Sequence, residues 1–199
     1  MRTTPTTSWR SPNSSPGSTP APTWPSAPGG DQARSDARPV VLPPGWTCAP
    51  AAEDDADDLA ALYGEVFATY PFPIADPGYL RATMAGDYRY FIVRTEDGRL
   101  AAASSAEIYR EDENVEMTDF AVHQAFRGKN LSGLLLSRME EEMRAAGMKT
   151  AFTIARAHSY PINATFARAG YAWGGTLVNN TSICGGFESM NVWYRALAE

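Results

Sequence analysis

Between Val115 and Ile154 the hydrophobic period changes twice, and this constrains the fold more than any other stretch. Val115–Val122 alternates and is rich in β formers. Leu131, Leu134, Leu135, Met139 and Met143 then repeat at three and four, predicting a helix of about four turns that stops at Gly147, and Lys149–Ile154 reads as a strand again. A strand, a crossover helix and a strand commit the chain to a sheet with helices packed on it.

The flanking sequence extends that sheet. Trp46–Ala49 reads as a short first strand. An acidic helix start at Asp54 and Asp55 leads into Leu59, Leu62, Tyr63, Val66, Phe67 and Tyr70 at helical spacing, ended by Pro71 and Pro73. A short helix is predicted over Pro77–Met84. The strand Tyr88–Val93 then turns at Glu96-Asp97-Gly98 into an antiparallel partner, Arg99–Tyr109. Beyond Ile154 the pattern predicts a helix from Tyr160 to Ala169 ended by Gly170. A strand from Tyr171 to Ile183, a turn at Cys184-Gly185-Gly186 and a last strand from Glu188 to Tyr194 complete the order β-α-α-β-β-β-α-β-α-β-β.

Residues 1–30 contain 22 Ser, Thr, Pro and Gly, with Trp9, Ala21, Trp24 and Ala27 the apolar residues after Met1. Such a segment buries too little surface to offset its chain entropy, so residues 1–45 are expected to be a disordered tail and 46–199 the domain. The tail carries four arginines against two aspartates, and the domain 13 basic against 21 acidic residues, a formal charge of −8. That balance disfavours nucleic acid and anionic membrane as partners and suits a cationic substrate. No apolar run reaches about 18 residues and no apolar core follows Arg2 or Arg10, so the expectation is a cytoplasmic protein. Two cysteines, Cys48 and Cys184, and two histidines, His123 and His158, give no metal-ligand spacing, and no metal is expected.

The chemistry concentrates in the joint Phe120-Ala121-Val122-His123-Gln124-Ala125-Phe126-Arg127-Gly128-Lys129-Asn130-Leu131-Ser132. A strand feeding a helix through Gly-containing backbone presents free N–H groups at the positive end of a helix dipole, and Arg127 and Lys129 add charge. The loop suits an anion such as pyrophosphate. It is neither a P-loop nor a dinucleotide fingerprint.

Arg127-Gly128-Lys129-Asn130-Leu131-Ser132 after a strand, with Asn163 to Tyr171 some 30 residues on, resembles the GNAT superfamily of acetyl-CoA-dependent N-acetyltransferases. The resemblance spans residues 46–199. It implies an α/β (α+β) fold: a central, mixed but mostly antiparallel sheet of about seven strands, splayed between strands four and five, with helices on both faces. Acetyl-CoA is the implied co-substrate, its pyrophosphate on Arg127–Ser132 and its pantetheine arm in the splay beside Phe120, Ala121 and Val122. Asn130 and Ser132 stand where Gly, and Gly or Ala, are usual; Asn tolerates left-handed backbone better than other side chains. A closer likeness, to the β-lysine N-acetyltransferase branch that makes Nε-acetyl-β-lysine, rests on Glu65–Ile74, Glu116–Ala121, Thr153–Ala157, Asn179–Thr181 and Glu188–Tyr194. Members of that branch carry a longer N-terminal region.

N-acetylation needs a free amine, so an acceptor ammonium of pKa about 10 must lose a proton. In strand four, strict alternation puts Glu116, Thr118, Phe120 and Val122 on one face and Met117, Asp119 and Ala121 on the other. Glu116 resembles the glutamate base of a related branch and is the expected base, with Asp119 positioning; the competing reading pairs one of these acids with Arg156 or another neighbour on strand five. The superfamily often uses a tyrosine four residues before the Gly that ends the second helix to protonate the departing thiolate. Here that residue is Phe166, which leaves Ser159, Tyr160 or water for the task and makes Phe166 a wall under the pantetheine. By resemblance Asn163 bonds the pantetheine. Glu188 would greet a second ammonium, and Tyr70, Phe72 and Ile74 would close the acceptor pocket. The alternatives are acetylation of another small amine or a protein lysine, or a catalytically silent acyl-CoA-binding module. The resemblance also allows a homodimer.

Overall fold

The computed structural model describes residues 41–198, so most of the expected tail lies outside the described residues. Seven strands and four helices follow in the expected order: β1 (Thr47–Pro50), α1 (Ala56–Val66), α2 (Pro77–Met84), β2 (Tyr88–Arg94), β3 (Leu100–Tyr109), β4 (Asn114–Val122), α3 (Leu131–Ala145), β5 (Thr150–Arg156), α4 (Tyr160–Arg168), β6 (Ala172–Ile183) and β7 (Gly186–Ala196). They form one sheet in the order β1-β2-β3-β4-β5-β7-β6. Every pairing is antiparallel except β4 with β5.

Local chemistry sets the element ends. Asp76 caps α2 by accepting from the Gly78 N–H at 2.8 Å, with Pro77 in the first turn where its missing N–H costs nothing. Gly147, at φ +86°, ends α3 in a backbone conformation that other residues adopt at a cost. α1 is shorter than its periodicity predicts. It closes at Val66 and Phe67 is extended, so Phe67 and Tyr70 belong to the following loop, where their rings pack 4.9 Å apart.

Each face of the sheet has its own core. On one side Leu135, Leu136 and Met139 of α3 and Phe166 of α4 cover Val115, Met117 and Ala151, with Leu42 and Trp46 packed at the margin. On the other, Leu59, Leu62 and Tyr63 of α1 and Leu80 of α2 cover Tyr90, Ile92, Ala103 and Ala121.

Two irregularities in β4 shape everything that follows. It pairs with β5 at only three positions, Asn114↔Thr150, Val115↔Ala151 and Glu116↔Phe152, after which the strands part. Against β3, Ala103 pairs with Ala121 and Ser105 with Thr118, so Asp119 and Phe120 together oppose Ser104. This is a β-bulge, with Asp119 at φ +54°. It corrects the alternation read from sequence. Met117 packs with α3 while Ala121 packs with α1, and Phe120 and Val122 return to the α3 side. Glu116, Thr118 and Asp119 therefore all face the α1 side.

Candidate active site

Where β4 and β5 part, a cleft of ≈ 720 Å³ opens between the β4–α3 joint and the β5–α4 joint. Phe120, Val122, Arg127, Gly128, Asn130, Leu131 and Ser132 line one wall, and Thr153–Arg156, Ser159–Ile162 and Arg168 the other. Gly128 has φ +82° and Asn130 φ +56°, so the Asn at the usual glycine position does adopt left-handed backbone. The Asn130 side chain folds over Gly133, where a Cβ would lie 2.7 Å from its Oδ1. No side chain caps α3, which leaves the first backbone N–H groups of a 15-residue helix for a ligand. With Arg127 and Arg168 on the lining, this donor set fits a pyrophosphate, and the uncovered strand edges fit the amide-bearing arm of an acyl-CoA.

Four expected cofactor residues do not line this cleft. Ala121 is buried against the α1-side core. Lys129 is exposed in the loop beside the lining residues. Phe166 is fully buried and packs edge-on against Phe120 and Tyr171, at 5.5 and 5.1 Å between ring centroids, so it supports the wall without forming it. Asn163 is 0 % exposed and its amide is saturated. Its Nδ2 donates to the Arg156 and Ser159 carbonyls, each at 2.8 Å, while its Oδ1 accepts from Asn191 Nδ2 at 2.9 Å and Trp193 Nε1 at 2.8 Å. With two donors and two acceptor sites used, nothing is left for pantetheine. Ser159 and Tyr160 do line the cleft.

A second cavity of ≈ 480 Å³ lies beyond β4 and meets the first at Tyr70, Thr118, Asp119, Ile154, Ile183 and Met190. Its lining holds three carboxylates, Glu107, Glu116 and Asp119, the aromatic rings of Tyr70, Phe72, Tyr79, Tyr88 and Tyr109, and no lysine or arginine. Burial, reinforced by the charges of Glu107 and Asp119 and opposed by the Ile154 backbone N–H, pushes the Glu116 carboxyl up to about 7. Asp119 is buried and shifted upward by that burial; Ser105 donates to its Oδ2 at 2.6 Å and the Tyr70 hydroxyl donates to its Oδ1. Burial and then the Asp119 charge drive the Tyr70 phenol well above its ordinary value, so Tyr70 stays a donor. The expected acceptor residues Tyr70 and Phe72 both line this cavity, Phe72 at its exposed rim and Tyr70 at its polar junction with the cleft.

Glu188 is elsewhere. Arg156 Nε and Nη2 donate to its two oxygens, each at 2.7 Å, and His158 Nδ1 lies 3.2 Å from Oε2. Its bond to Arg156 holds its carboxyl below the usual range, and it lines neither cavity. The acid that pairs with Arg156 is thus Glu188 and not Glu116 or Asp119, and Glu188 has no charge to spare for a substrate ammonium. Glu107, Tyr88 and Tyr109, unremarked in the sequence, occupy the cavity instead; their signal was an unpaired acid between two aromatic positions on neighbouring strands. Among the described residues no group of His, Cys, Asp and Glu has metal-site geometry, and no helix is long and apolar enough to cross a membrane.

The chain belongs to the acetyltransferase (GNAT) family, whose model matches residues 56–171. It is 48% identical over 145 residues to a β-lysine N(6)-acetyltransferase of Methanococcus maripaludis, covering 73% of this chain and 53% of that protein. It is 40% identical to the N-acetyltransferase YodP of Bacillus subtilis, over 82% of this chain and 58% of the other, and 38% identical to a β-lysine N(6)-acetyltransferase of Methanosarcina mazei, over 78% and 57%. The chain thus spans about half the length of the curated relatives it matches. Among solved structures, a spermidine N-acetyltransferase SpeG variant from Vibrio cholerae superposes with a TM-score of 0.64 over 77% of this chain and 94% of that one, at 14% identity. The ribosomal-protein-S5-alanine acetyltransferase of Vibrio fischeri gives 0.67 over 80% and 97%, at 10% identity. These share the fold.

Proposed function

We propose that this protein transfers the acetyl group of acetyl-CoA to a primary amine of a small amino acid in a ternary complex, and that the acceptor is the ε-amine of L-β-lysine. The observation that carries this reading is the meeting of a basic, N–H-rich cleft with an acidic, aromatic cavity beside Glu116 and Asp119. The names of two relatives support the choice of amine.

Acetyl-CoA, when bound, supplies an activated acetyl thioester; the chain supplies position and proton transfer. Glu116, with its carboxyl raised to about 7, is matched to accept a proton from an ammonium near neutral pH. Asp119 accepts from Ser105 and Tyr70, which tie it to β3 and to the loop after α1, and its charge beside Glu116 helps to raise the Glu116 carboxyl. The backbone N–H groups between Phe120 and Val122 that β5 no longer faces are the donors for charge developing on the acyl oxygen. Ser159 and Tyr160, two of the hydroxyls that line the cleft, are placed to take the role the family gives to a tyrosine where this chain has Phe166.

The test is thiol release from acetyl-CoA with L-β-lysine, L-lysine, ornithine, polyamines and a lysine peptide, with the mass of each product. Selective turnover of β-lysine with a single added acetyl is the expected result. Preference for another amine removes the β-lysine assignment, and CoA binding without thiol release makes the chain a binding module.

A further inference from the structure

Proton transfer leaves one charged group of the acceptor cavity unused. Glu107 stands directly opposite Glu116 in the β3–β4 ladder, and Tyr88 directly opposite Glu107 in the β2–β3 ladder, so the three side chains form one cross-strand row on the cavity face. Carboxylates that face each other across a ladder repel. Among the described residues neither glutamate forms an ion pair, while the neighbouring Asp87, Glu113 and Glu188 each have a basic partner. Tyr109 stands two residues along β3 from Glu107, and burial together with the nearby Glu107 carboxylate raises the phenols of both Tyr88 and Tyr109, so they stay protonated beside it. Phe72 and Tyr79 line the same cavity. Two unneutralised acids in a cavity with aromatic walls and no basic side chain lack one thing, a cation from outside.

We propose that Glu107, flanked by Tyr88 and Tyr109, binds a second ammonium of the acceptor, the one that is not acetylated, so that the cavity selects diamines and diamino acids over monoamines. This rests on the acetyl-transfer reading and states what its acceptor must carry. The reacting amine gives its proton to Glu116 and turns neutral, whereas the second amine keeps its charge between Glu107 and the rings. Glu107 thus takes the part that sequence assigned to Glu188, which Arg156 already neutralises.

The matched pair for the test is L-β-lysine and 6-aminohexanoate, which share the reacting amine and the carboxylate and differ by the second amine alone. With the full chain and acetyl-CoA, the expected kcat/KM ratio favours β-lysine by about 30-fold or more, as for loss of a charged hydrogen bond. Glu107→Gln is expected to bring that ratio to within about threefold, through the KM for β-lysine, and Tyr109→Phe to lower it part of the way. The Tyr109 variant keeps the charge row intact and reads out the same ratio should the Glu107 variant not fold. A parent ratio near one with both amines acetylated, or a ratio that Glu107→Gln leaves in place, overturns the assignment while acetyl transfer stands. No thiol release from the parent with either amine overturns the acetyl-transfer reading and this one with it.

Discussion

The two cavities on either side of the β4 bulge are built on opposite principles. The cleft between β4 and β5 offers backbone: uncovered strand edges, an uncapped helix start and left-handed residues at Gly128 and Asn130, with arginines at its rim. The acceptor cavity offers side chains: three acids and a set of phenols, fixed by cross-strand pairing and by the Tyr70–Asp119–Ser105 chain. A backbone site tolerates sequence change as long as the φ angles survive, and it suits a ligand common to many enzymes. A side-chain site changes its preference with one substitution.

The sharpest way to break this division is Glu116→Gln, which should cut kcat by about 10²–10⁴ while leaving CoA affinity, read by calorimetry, within about twofold. Arg127→Ala works in the other cavity: KM for acetyl-CoA should rise about tenfold, with no more than about a twofold change in the amine KM. The pH dependence belongs to the acid side alone. Glu116 accepts a proton only when ionised, so kcat/KM should climb as pH rises through about 7 and then level. Asp119→Asn removes one of the charges that raise Glu116, and the midpoint should move to lower pH. Stability carries the opposite sign. A carboxyl whose folded pKa lies above its unfolded value of 4.5 costs nothing below that pH and destabilises progressively up to about 7. Glu116→Gln should therefore stabilise the fold at pH 8 by on the order of 2 kcal/mol in urea titrations and leave it unchanged at pH 4. The smallest effect is expected at Glu188→Gln. Its partly exposed pair with Arg156 is worth about 1 kcal/mol or less, and the KM for β-lysine should stay within about twofold.

Much of the fold was legible because its signals are local. Pro77 after Asp76, the three-and-four spacing of Leu131 to Met143, and Gly147 and Gly170 each act within one turn of where they stand. The cleft was legible for the same reason, since a strand running through a Gly loop into a helix makes its own donor set. The bulge was not. It exists only because β3 supplies one residue where β4 supplies two, and a count made on β4 alone sends Asp119 to the face opposite Glu116. Asn163 was misread on similar grounds. Its amide is used up by Asn191 and Trp193, which are 28 and 30 residues away and reach it only because β7 lies beside β5. Glu188 looked available until Arg156, two strands apart in sequence and adjacent in the sheet, took both its oxygens.

The three rungs that join β4 to β5 also have a thermodynamic meaning. Two sub-sheets, β1–β4 and β5–β7, share little backbone pairing across the middle, and a ligand lying in the gap completes the connection that the chain itself leaves open. Binding to the folded state alone at a hundredfold excess over Kd adds about 2.7 kcal/mol of stability. For a domain of this size, such an increment shifts the melting temperature by roughly 5 to 11 °C. An acyl-CoA bound in this gap would therefore brace the two halves of the sheet, and a melting temperature that climbs with added acetyl-CoA is the expected readout.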